Sequence, residues 1–172
     1  MQGSGCHPSI PDEAIEFAGF VLAHCAAVAD SNREGELICP FAVLRKSGRQ
    51  EVIDFESETQ AEAVEKGWES LPVAKLTNSG WALGREGIFR STNSAEDVLT
   101  VSTWLPAMKH HISLLQRFGR GPEQQLILHG EPELLIHGAE GATELETWNR
   151  SALSRGIESH PQGKMWTEWR TQ

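Results

Sequence analysis

Val98-Leu99-Thr100-Val101-Ser102-Thr103-Trp104 is the stretch on which the reading of the fold turns. Its β-branched and aromatic residues favour a pleated strand. Side chains alternate along a strand, so Val98, Thr100, Ser102 and Trp104 fall on one face and Leu99, Val101 and Thr103 on the other. Both faces carry apolar groups, which predicts a central strand covered on both sides.

Towards the N-terminus the same texture continues. Short apolar runs at 73–76, 81–83 and 88–89 are punctuated by Asn78-Ser79-Gly80, Glu86-Gly87 and Thr92-Asn93-Ser94, the pattern of a β-meander. Before it, Ala61, Val64, Trp68 and Leu71 mark the inner face of a helix that opens at a Ser57/Gln60 capping box and is stopped by Pro72. Its outer face carries Glu58, Glu62, Glu65 and Glu69. Residues 37–46 and 51–55, joined by Ser47-Gly48, predict a hairpin, with Pro40 suited to an edge or a bulge. The first helix is capped by Ser9 and carries Pro11, Asp12, Glu13 and Glu16 in its opening turns. Ile15, Ala18, Leu22, Cys25 and Ala29 form its buried stripe.

Towards the C-terminus, residues 112–118 fit either a short helix or a strand. Residues 126–129 and 134–137 flank Gly130-Glu131-Pro132 and predict a second hairpin. Residues 143–153 predict a helix with Leu145, Trp148 and Leu153 inward, ended by Gly156. The sum is an α+β chain of one domain over residues 1–172, with 1–8 and 159–172 as tails. A mostly antiparallel sheet of five to seven strands has two or three helices packed on one face, in the order α-β-β-α-β-β-β followed by a hairpin and a helix.

Composition narrows the function. With 15 Lys+Arg against 24 Asp+Glu the formal charge is -9, which repels a phosphate backbone and argues against a nucleic-acid partner. The apolar stretch 17–29 is shorter than the about 20 residues a bilayer demands, and the N-terminus lacks a basic n-region, so a cytoplasmic protein without a membrane partner is expected. Cys6, Cys25 and Cys39 form no CxxC or CxxH pair. They read as reduced thiols, Cys25 and Cys39 as small buried hydrophobes and Cys6 as exposed.

Three sets of residues are candidates for chemistry. The segment 98–122 holds Lys109, Arg117 and Arg120 and no carboxylate, so His110, His111, Arg117 and Arg120 could converge on a small anionic ligand. Its acidic counterpart is 51–71, with seven carboxylates and the single base Lys66. His129, Glu131, Glu133 and His137 suit a divalent metal, since imidazole and carboxylate share such ions, and the alternative is a solvated hairpin turn. Trp166 and Trp169 lie in a tail whose indoles would insert on one side of an added edge strand, docked on this chain or, alternatively, on a second copy. No Gly-x-Ser-x-Gly elbow or Walker loop is present. The expectation is therefore a non-enzymatic binding or protein-interaction module without a resident cofactor, with self-association as one outcome. A metal-dependent enzyme or metal-binding protein built on the His129 cluster is the alternative.

Overall fold

The computed structural model describes residues 10–33, 35–90 and 92–171. In chain order the elements are α1 (Asp12–Ser31), β1 (Phe41–Lys46), β2 (Arg49–Asp54), α2 (Gln60–Leu76), β3 (Gly80–Arg90), β4 (Ala95–Trp104), β5 (Ile112–Arg120), β6 (Leu126–Gly138), β7 (Gly141–Leu145) and α3 (Arg150–Ser159). A 3₁₀ turn (Gly163–Met165) then leads into α4 (Trp166–Thr171). The fold is α+β, and the seven strands form one antiparallel sheet in the order β2-β1-β3-β4-β5-β6-β7.

β4 stands in the middle of that order, as its two-sided alternation predicts. Leu99 and Val101 join Ala82, Ile112, Leu114 and Leu134 under α1 and α3, in the larger core. Trp104 joins Trp81, Leu83 and Ala42 against Leu71 and Ala74 of α2. Helices therefore cover both faces rather than one. α2 packs chiefly on β3 and β1, so beyond Trp104 the half of its face formed by β4 to β7 has no helix packed along it among the described residues.

Several boundaries differ from expectation for identifiable reasons. β1 begins at Phe41 instead of residue 37, because Pro40 has no N–H to continue the ladder; its carbonyl accepts from Phe55 instead. The cap of α2 is Thr59, whose Oγ1 accepts from the Glu62 N–H at 3.2 Å, and not Ser57. Pro72 lies inside α2, so residues 73–76 are its last turn and not a strand. The runs at 81–83 and 88–89 belong to the single strand β3.

The two runs flanking Gly130-Glu131-Pro132 are likewise one strand, β6. Its register against β5 shifts between Leu115 and Arg117, and the buried Gln116 amide donates to the carbonyls of His129 at 3.2 Å and Gly130 at 3.3 Å. The local turn signal thus marks a bulge. The hairpin partner of β6 is β7, which occupies the start of the predicted 143–153 helix. α3 starts at Arg150, where Asn149 Oδ1 accepts from the Ala152 N–H. Residues 112–118 are strand.

α1 is long and apolar enough, by length and composition, to cross a membrane, which the shorter 17–29 stretch did not suggest. In this fold it is the main core helix. Cys25 is buried in it as expected, and burial pushes its thiol up to about 12. Cys39 is exposed, because it precedes the strand. Cys6 and the Ser9 cap lie outside the described residues.

Candidate anion site

The register of β4 on β5 sets Ser102 directly opposite Ser113 on the face that α2 half covers. Their hydroxyl oxygens are 2.8 Å apart and both residues are buried. Across β5, Ser113 Oγ is 2.9 Å from His137 Nε2 on β6. Across β4, both terminal nitrogens of the Arg85 guanidinium on β3 lie 3.3 Å from Ser102 Oγ. A guanidinium can only donate, so Arg85 donates to Ser102. Beyond it, Ser102, Ser113 and the His137 imidazole form a continuous hydrogen-bonded row in which each group can donate or accept.

Two further groups close on this row. His111, at the entrance to β5, stacks on His137 with centroids 4.1 Å apart and planes 22° apart. Trp68 of α2 lies with its ring 5.1 Å from the Arg85 guanidinium and 5.1 Å from His111. α2 approaches β3 this closely at Gly67, where any Cβ would sit 2.5 Å from a Leu83 methyl. The Trp81 indole then donates to Ser70 Oγ at 2.8 Å, fixing the helix from the other side.

The electrostatics are one-sided. Burial pushes the Arg85 guanidinium down to about 10. His111 is pushed down to about 4, first by burial and then by His137, Arg85, Lys75 and His110, all of them bases. His137 is lowered by burial and by Arg85. Among the described residues no carboxylate acts on any of the three, and none pairs with Arg85. A partly buried cation normally keeps a counter-ion, because removing it from water is costly. Here the partners are the Ser102 hydroxyl, the Leu83 carbonyl at 3.5 Å and the Trp68 indole face.

Of the residues predicted to hold an anion, only His111 belongs to this cluster. His110 is exposed beside Lys109 and Ile112 on a shallow pocket. Arg117 is clamped between Glu96 at 3.4 Å and Glu133 at 3.1 Å, with its guanidinium over the Phe89 ring. Arg120 donates to the carbonyls of Ala29 and Gln124, tying β5 to the end of α1. The four predicted metal ligands are dispersed in the same way. His129 is exposed opposite Arg117, Glu131 pairs with Arg170, Glu133 with Arg117, and His137 with Ser113. No group of three His, Cys, Asp or Glu suited to a metal ion occurs among the described residues.

Trp166 and Trp169 sit on a helix, α4, and not on an edge strand; Trp169 is 1% exposed in the core of this chain. Local sequence pattern marks Ser102 and Trp68 only as face positions, and gives Arg85, Ser113 and Lys75 no role in a site. The one available signal was the alternation of β4, which places Ser102 on the face shared with the odd-numbered residues of β3.

No family model matches the chain, and neither the curated proteins nor the solved structures contain a match to it.

Proposed function

We propose that this chain is a binding module for a small anionic group, a carboxylate or a phosphoryl oxygen cluster, held on the half-open sheet face by Arg85, His111 and His137. The observation that carries the reading is the convergence of three basic side chains, Arg85, His111 and His137, along the Ser102–Ser113 row, with no carboxylate among the described residues paired to them, in a chain of net charge -9. Guanidinium and imidazole donors suit an oxyanion, and charge-assisted hydrogen bonds are about twice as strong as neutral ones. Ser102 and Ser113 hold the basic groups in register.

The geometry around Ser113 supports binding over catalysis. Its hydroxyl pairs with His137 as a nucleophile does with a base, but the oxygen is buried between Ser102 and His137, and no carboxylate among the described residues orients the imidazole. A metal-dependent reaction finds no matching convergence of ligands among the described residues.

The test is a titration with sodium sulfate, which stays a dianion between pH 5 and 8, followed by amide and imidazole NMR shifts. Saturable shifts at Ser102, Ser113 and His137 are expected. Arg85→Gln should weaken them by about tenfold or more, the loss of one charge-assisted contact. Arg117→Gln and Arg120→Gln should leave them unchanged. Equal binding by the Arg85 variant, or loss on changing Arg117, overturns the assignment.

A further inference from the structure

β3 pairs with β1 only from Gly80 to Gly84, but with β4 from Trp81 to Arg90. From residue 85 onward its other edge has no strand partner among the described residues. The cause lies in Pro40, which ends the β1 ladder, and in the divergence of the segment leading into it. Ile38 turns its side chain into the core, its carbonyl accepts from the Gln60 amide at 3.1 Å, and its N–H serves the Glu86 carboxylate.

Between that segment, the first turns of α2 and the free edge of β3 lies a groove of ≈ 540 Å³. Leu37 and Ile88 stand at its sides, each 57% exposed, and Ala61 and Val64 of α2 form its wall. An unpaired edge beside exposed apolar groups is a template for another strand.

The chemistry of the added strand can be read from the faces of β3. Odd-numbered residues face α2, as Leu83 against Gly67 and Arg85 under Trp68 show. Even-numbered residues face the α1 side, where a Cβ at Gly84 would meet Cys25. A strand laid beside residues 86–88 therefore has two environments in alternation. On one side it meets the gap over Gly87, walled by Ala61 and Val64, which takes an apolar side chain. On the other it meets Glu86 and Asp97, which take a cation. The exposed Asp97 carboxylate is the accessible partner for an incoming ammonium or guanidinium, and the buried Glu86 carboxyl, on which Arg120 acts from within the chain, adds to it. Glu58, Glu62 and Glu65, all exposed on or before α2, extend the negative field around the groove.

We propose that the free edge of β3 at residues 86–88 is a docking site for an extended peptide in which apolar and basic residues alternate, bound by strand addition. The site is distinct from the Arg85 cluster: it is walled by the first turns of α2, one turn before Trp68, and its charge is of the opposite sign.

The experiment uses the full chain and fluorescein-labelled acetyl-(Lys-Val)₃-amide, with fluorescence anisotropy for affinity and NMR shift mapping for location. Saturable binding that shifts residues 61, 64 and 86–88 is expected. The (Glu-Val)₃ and (Lys-Ser)₃ peptides should bind at least about tenfold more weakly, since each removes one of the two alternating contacts. A fully N-methylated (Lys-Val)₃, which cannot form the ladder, should not bind. Asp97→Lys, an exposed position, should cost about tenfold without lowering the melting temperature; Val64→Asp should do the same through the apolar wall. Failure of (Lys-Val)₃ to bind, equal binding of the acidic peptide, retention by the N-methylated one, or shifts confined to the edge strands β2 and β7 would each refute the proposal.

Discussion

His111 shows most directly how position overrides residue type. In an exposed loop it would be an ordinary imidazole; between Trp68 and His137 it is half-buried among cations and pushed down to about 4. A histidine whose native value lies below its unfolded value of about 6.5 favours the folded state while neutral. Its contribution is therefore fully present above about pH 6.5 and is lost as the pH falls through the window down to about 4. His137 shifts in the same direction. So do His24 and His160, which share a 3.1 Å hydrogen bond between α1 and the C-cap of α3. Urea unfolding measured from pH 7.5 to 4 should show stability declining with acidity, and His111→Gln should flatten that slope without removing it. A slope unchanged in the variant would mean that His111 is as free to protonate in the fold as in the unfolded chain. Sulfate should oppose the decline, because an anion bound at Arg85 favours the imidazolium forms.

Elements are held together by contacts that local sequence cannot express, and Gly156 is the sharpest case. Its residue type suggests a helix stop, yet it lies within α3, where a Cβ would stand 2.0 Å from the Glu16 carbonyl of α1. The missing side chain is what lets the two helices touch, beside the Arg155–Glu16 ion pair at 2.8 Å. Gly156→Ala should force the helices apart and cost about 1–3 kcal/mol, the usual range for overpacking, as read from urea midpoints. A midpoint equal to that of wild type would show that the α1–α3 contact gives way freely. The same logic explains what could be read in advance. The two-faced strand 98–104 and the stripe of α1 were legible because periodicity is a property of contiguous residues. Glu86-Gly87 and Gly130-Glu131-Pro132 misled because turn-forming residues also serve a strand edge and a bulge, and only the neighbouring strands decide which. The anion site was the least legible. Ser102 and Ser113 are eleven residues apart and meet only through register, and Arg85 sits in a glycine-flanked run that reads as a turn.

Charge along the whole molecule is sorted by pairing between strands rather than by segment. The run 98–122, basic as a sequence, loses its most central guanidinium to Glu96 and Glu133 from the strands on either side. The positive region that remains gathers around Arg85 on one face, and the hydrophobic anchoring lies mostly on the other, where α1, α3 and α4 pack. α4 brings Trp169 into that larger core, and the neighbouring Arg170 meets Glu131 at the bulge of β6. Stability and the proposed ligand site should therefore be separable. Trp169→Ala removes a fully buried indole and should cost about 3–5 kcal/mol in urea unfolding. Because the sheet lies between α4 and the Arg85 row, sulfate should still shift Ser113 and His137 of the folded variant over the same concentration range as in wild type. A shifted range would mean that the sheet transmits the loss of α4 through β6 to His137, and the two faces would then have to be treated as one coupled unit.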